Sequence, residues 1–290
     1  MSNVANLEAV RQPPSPSEWL NEAISSAQNK VRTFVIDLTP ALARALLARN
    51  PANRKISLNM VEKYARDMSQ DGWAFNGEPI IVSRDGHLND GQHRCEAVIQ
   101  SGRTIPVVLV IGTDRASRLT IDQGKNRMAG DYLAMDGHTD GTALAAAAGY
   151  LWQYEHHGRL SGQAFYRPTK TEVMAVVAAT PDLTASLSAV PKKGSDAVGG
   201  RSMLAFAHLL FARRAGKPAA DEFLDMLVTG INLSANSPVL YARNRLTTNR
   251  GRLRPNEKAE LILRAWGAWR RRETPKTLPI LNDALPIVER

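Results

Sequence analysis

The sequence predicts an α+β domain followed by an all-helical domain, and three observations predict it. Alternating, hairpin-like segments flank Asp85-Gly86, with Ile80, Val82 and Leu88 at the apolar positions. A second strand signal runs from Ile105 to Ile111, and beyond Thr142 no comparable β-rich stretch recurs while apolar residues keep helical spacing. With 290 residues and 43% hydrophobic content, the chain can supply two cores. The expected organisation is an arm over residues 1–32, an α+β domain over 33–141 and a helical, basic domain over 142–290.

The arm contains Pro13, Pro14 and Pro16 and shows no sustained core pattern, although Trp19, Leu20 and Ile24 have the spacing of a short docking helix. Thr39-Pro40 reads as a cap followed by a first-turn proline, with Leu42, Leu46 and Leu47 on the apolar side of a helix. A second helix from Leu58 to Ser69 aligns Val61, Tyr64, Ala65 and Met68 before Gly72 stops it. Asn76-Gly77 favours a positive φ between Trp73, Phe75 and the strand at Ile80. Cys95, Val98 and Ile99 then recur at helical spacing.

In the run Ile105–Ile111, Pro106 marks either an edge or a place without a ladder partner. Asp114 is expected to cap a helix around Ala116 and Leu119. A polar turn over residues 121–127 follows, and the four-residue step from Arg127 to Asp131 suits an ion pair on one helix face. Further helices are expected at Ala143–Tyr154, Thr171–Ala179, Ser202–Arg213, Ala219–Val228, Pro238–Thr247 and Asn256–Arg271. Trp266 and Trp269 read as core residues of the last one.

Several function classes are excluded. A single cysteine rules out an internal disulfide framework and a cysteine-rich zinc cluster. Leu144–Leu151 is too short to cross a bilayer, and the N-terminus lacks the basic segment and apolar run that mark export. Walker spacing is absent around Lys192-Lys193-Gly194 and Gly199-Gly200-Arg201, which read as loop. His156-His157 has no matching carboxylate or cysteine pattern and reads as a surface feature.

The most informative stretch is Asp90-Gly91-Gln92-His93-Arg94, placed between a strand and a helix. A phosphate group fits the exposed amides of such a helix start, with His93 and Arg94 adding donors and charge. Phosphoryl transfer needs positive charge around the oxygens and a carboxylate to orient or deprotonate the attacking hydroxyl. Asp90 has the chemistry of a base or Mg²⁺ ligand, and Glu78 is a second candidate carboxylate. In the polar turn, Lys125 and Arg127 are candidate phosphate contacts and Asp122 a candidate metal ligand.

From about Thr33 to Asp131 the chain resembles the ParB/sulfiredoxin superfamily. The resemblance rests on Asn53-Arg54-Lys55, the helix Leu58–Ser69, Gly77-Glu78-Pro79-Ile80-Ile81-Val82, Asp85-Gly86, the signature at 90–94 and Ile105-Pro106-Val107. It implies a compact α+β unit that binds ATP or another NTP, with Gly91, Gln92, His93 and Arg94 at the nucleotide. Activities of such domains include CTP-switched DNA clamping, sulfinic acid repair, free serine phosphorylation and DNA binding or nicking. Sulfiredoxins carry a cysteine directly before the His-Arg pair, where this chain has Gln92. The partitioning proteins carry Gly-Glu-Arg-Arg, which residues 91–94 match only in part. The free serine kinases are closer, with an Asp-Gly pair leading to a His-Arg pair, matched by Asp90, His93 and Arg94.

A formal charge of +9 points toward polyanions, and arginine concentrates late in the chain at Arg243, Arg245, Arg252, Arg254, Arg270, Arg271 and Arg272. The expected function is therefore an NTP- and Mg²⁺-dependent phosphotransferase acting on DNA in the cytoplasm of a bacterial or virus-infected bacterial cell. A hydroxyl on a modified base is the candidate acceptor. The rival expectations are a nucleotide-responsive DNA-binding protein and a ParB-like nuclease.

Overall fold

A computed structural model describes residues 14–50, 55–119, 121, 127–249 and 251–288. The fold is mixed α+β, and the chain divides into two compact units, Met1–Lys125 and Asn126–Arg290, each with its own apolar core.

In the first unit, helix α1 (Pro16–Ser26) starts with a capping box in which Ser15 and Glu18 exchange bonds, and Pro16 occupies the first turn. Its apolar stripe buries Leu20, Ala23 and Ile24, so the second half of the expected arm is a docked part of this core. Strand β1 (Arg32–Leu38) follows, then α2 (Pro40–Leu47), which Thr39 caps through the Leu42 amide, and α3 (Leu58–Ser69). Strands β2 (Pro79–Ser83) and β3 (Leu88–Asp90) form the hairpin around Asp85-Gly86, and α4 (Gln92–Ser101) leads into β4 (Ile105–Thr113).

The sheet order is β1-β4-β2-β3. Strand β4 is central, antiparallel to β1 and parallel to β2. Pro106 lies opposite Asp37 of β1, whereas pairing with β2 begins only at Val108, so the proline sits where one ladder has not started. Alternation sends Leu38, Ile80, Val82, Ile105, Val107, Leu109 and Ile111 into the core. Val35, Ile81, Val108 and Val110 point the other way and keep solvent exposure. After β4, Arg115–Leu119 forms a 3₁₀ turn in place of the expected α-helix; Ser117 returns both its amide and hydroxyl to the Asp114 carbonyl.

The second unit is helical: α5 (Ala129–Met135), α6 (Gly141–His157), α7 (Lys170–Ala179), α8 (Pro181–Ala189), α9 (Arg201–Ala215), α10 (Lys217–Thr229), α11 (Pro238–Thr248) and α12 (Pro255–Arg270). Helix α5 belongs here, and the division accordingly falls before it. The reason is a glycine contact: a Cβ at Gly141 would lie 2.5 Å from the Gly130 carbonyl, so only glycine lets α5 and α6 approach this closely. Arg127 lies ahead of α5, and Asp131 accepts the Met128 amide at 2.6 Å, which replaces the expected Arg127–Asp131 pair.

Helix α9 buries eight residues between its neighbours. Phe211 stacks on Trp266 at 4.1 Å with Phe223 edge-on, and Trp266 is 2% exposed, so that tryptophan is core. Beyond α12 the chain doubles back. Buried Glu260 accepts the amides of Leu281 and Asn282 together with Arg264 Nε, which seats Leu278 and Leu285 against the helices. Among the described residues, no helix is long and apolar enough to cross a membrane.

Candidate functional site

The Asp90–Arg94 turn occupies the junction of β3 and α4, as the sequence spacing requires. Gly91 is the N-cap and holds φ +103°, and a Cβ there would fall 2.8 Å from Ile80 Cγ1, so both conformation and packing demand glycine. Gly91, having no side chain, supplies no cap bond to the first turn of α4. The exposed amides expected from the sequence are not found, because Gly91 and Gln92 at this helix start are both buried.

The polar side chains of the turn each reach a different element. Arg94 donates to the Glu78 carbonyl, to the Pro79 carbonyl at 2.6 Å and to Asp90 Oδ2 at 3.0 Å, with only 7% of its side chain exposed. The guanidinium that sequence reasoning placed on phosphate therefore clamps the start of β2 to α4. It also fixes Asp90 in one orientation while the Oδ1 atom takes no part in the ion pair. Gln92, buried, accepts Asn50 Nδ2 at 3.0 Å from the end of α2. His93 Nε2 accepts the Ser57 amide at 3.0 Å ahead of α3, so any ring proton on the neutral imidazole sits on Nδ1.

Glu78 itself is exposed, and its amide donates to Asn76 Oδ1. Since Arg94 holds both the Glu78 carbonyl and Asp90, the two candidate carboxylates belong to neighbouring residues of one cluster. Asn50, unremarked in the sequence, adds a buried carbonyl oxygen, Oδ1, which has no hydrogen-bond partner among the described residues. Its only sequence signal is its place at the end of the Leu42–Leu47 helix. Asp122 and Lys125, like Asn53 and Arg54, lie outside the described residues; Arg127 is exposed. Among the described residues, no group of three His, Cys, Asp or Glu side chains gathers as a metal site.

The arginines of the second unit separate into two kinds. Arg243 donates to the Leu227 and Val228 carbonyls at 2.7 and 2.6 Å, closing the end of α10, and Arg245 donates to the Leu278 carbonyl at 2.7 Å. Both are half-buried and engage carbonyls of the fold, unlike the remaining arginines expected at a nucleic-acid surface. Arg252 and Arg254 at the start of α12, and Arg270, Arg271 and Arg272 at its end, are exposed. Arg270 lies over the Trp266 ring, and Arg271 pairs with Glu273 at 2.7 Å. At about 1.5 Å per residue, the two groups stand roughly 24 Å apart along the helix. Comparison with family models, with curated proteins and with solved structures finds no match.

Proposed function

We propose that the first unit is a ParB/sulfiredoxin-like nucleotide-binding domain and that the protein is an NTP-dependent phosphotransferase acting on DNA, with a hydroxyl on a modified base as acceptor. The observation that carries this reading is the start of α4, entered through left-handed Gly91, which brings no side chain of its own, with the Asp90 carboxylate fixed beside it by Arg94. Helix amides at such a start favour phosphate oxygens. Asp90 is then the group to orient or deprotonate the acceptor hydroxyl, and Asn50 Oδ1 is an acceptor for an amino or hydroxyl group of the nucleotide. Mg²⁺ bound mainly through substrate phosphates, water and one carboxylate fits Asp90, with Glu78 nearby; the ion would neutralise charge on the phosphates. The exposed arginines at the two ends of α12 supply the contacts to DNA backbone.

The test is incubation of the protein with γ-labelled ATP, Mg²⁺ and DNA carrying ordinary or hydroxymethylated bases. Label on the hydroxymethylated DNA alone is the expected result, and its loss in Asp90→Asn, with circular dichroism unchanged, places the chemistry at this turn. Free phosphate without labelled DNA, or strand cleavage, removes the transferase reading.

One observation favours a second reading. Gln92, His93 and Arg94 join α2, the residue ahead of α3, and β2, so a ligand that disturbed this turn would be felt by three elements at once. In that case the nucleotide is a switch for DNA retention, and nucleotide-dependent DNA binding without any product would be its signature.

A further inference from the structure

We propose that β1 is the docking edge for a second copy of this chain, pairing antiparallel with its own counterpart across a two-fold axis through Val35. Among the described residues, strand β1 lies at the margin of the sheet, with β4 on one side only. Seven consecutive positions pair with β4 and no register shift interrupts them. The strand carries no proline, lysine or bulge, and its charges, Arg32 and Asp37, stand towards its two ends rather than at its centre. It is also wet: Val35 is 71% exposed, and Thr33 and Asp37 beside it on the same face are exposed too. Phe34 and Ile36, which face the helices, are only half-buried.

The occupant follows from the strand's own order of residues. Pairing about Val35 sets Thr33 of one copy opposite Asp37 of the other, twice, so that a hydroxyl donor meets a carboxylate acceptor at both ends of the patch. Phe34 meets Ile36, an aromatic against a β-branched residue, and Val35 meets Val35 on the open face. The antiparallel sense also brings the Arg32 end of each strand alongside the Asp37 end of the other, whereas a parallel pair would align like charges. Two four-stranded sheets become one, and each copy contributes the same surface, as a two-fold interface requires.

Light scattering across about 1 to about 100 µM protein should register a rise to twice the chain mass. Val35→Lys places two ammonium groups face to face at the axis; since the site is exposed, the fold should survive by circular dichroism while dimerisation weakens by about tenfold or more. Val35→Cys should form a disulfide-linked dimer under mild oxidation, because it faces its own copy. Cys95, fully buried with burial pushing its thiol up to about 12, does not compete. Val31→Cys, exposed but beyond the paired stretch, should not link. A monomer at every concentration, a dimer untouched by Val35→Lys, or linkage through residue 31 as ready as through residue 35 would overturn the proposal.

Discussion

At the scale of single residues, the turn at 90–94 is specified by one glycine and one arginine. Gly91→Ala meets both a φ of +103° and the buried Ile80 side chain, so a loss of about 2–4 kcal/mol is expected, read as a lowered melting temperature and denaturant midpoint. The motif was legible in the sequence, and so was its place between strand and helix. Its partners were not, because Asn50, Ser57 and the Glu78 and Pro79 carbonyls come from segments whose approach only the folded chain establishes. The motif suggested Arg94 as a phosphate donor; three oxygens within reach make it a clamp. A pH effect belongs to the same scale. The Arg201 guanidinium holds the Asp140 carboxyl below its ordinary value of 3.8, chiefly by hydrogen bond, against an opposing effect of burial and with a lesser pull from the charges of Arg201 and Lys192. A depressed carboxylate stabilises the fold above its ordinary value and loses that contribution as pH falls through the depressed one. Melting curves from about pH 5 to about pH 2 should therefore steepen below 3.8 in the native protein, and Arg201→Met should flatten that limb.

Elements differed in how plainly they were written. Thr39-Pro40 and Ser237-Pro238 announce helices because cap and first-turn proline coincide with an apolar stripe. Strand β1 shows no clean alternation, since Phe34, Val35 and Ile36 are all apolar although they face opposite sides. Helix α8 is rich in serine and threonine, and the single residue Thr180 is both the C-cap of α7 and the N-cap of α8, so almost no gap in the sequence separates the two. The arginine clusters were visible, but which of their members turn inward depends on carbonyls of other helices. Arg243 closes α10, and Arg243→Met should cost about 1–3 kcal/mol in stability by leaving the Leu227 and Val228 carbonyls unpaired. Its DNA affinity, measured on the folded variant, should stay near that of the native protein. Arg270→Gln and Arg272→Gln should do the reverse, keeping the melting temperature and lowering the dependence of DNA binding on salt by about one unit of slope for each phosphate no longer neutralised.

For the whole molecule, the change from strands to helices was readable, whereas the exact division was not, because Gly130 and Gly141 act through a close approach that neither residue signals alone. Each unit has a separate apolar core, and expression of residues 1–125 and 126–290 as individual chains should give two cooperative melts followed by circular dichroism. Failure of either fragment to unfold cooperatively would show that its core is incomplete without the other. The central position of β4 has a consequence for biogenesis. During translation β1 emerges before β4, its hydrogen-bonding neighbour among the described residues, and must wait until the segment through Thr113 has left the ribosome, while β2 likewise awaits it for its parallel ladder. Non-local closure of this kind slows folding, whereas the later helices mature through nearby contacts. The nascent N-terminal half is thus the stretch most in need of a chaperone, and arrest of synthesis just short of β4 would leave it open to aggregation.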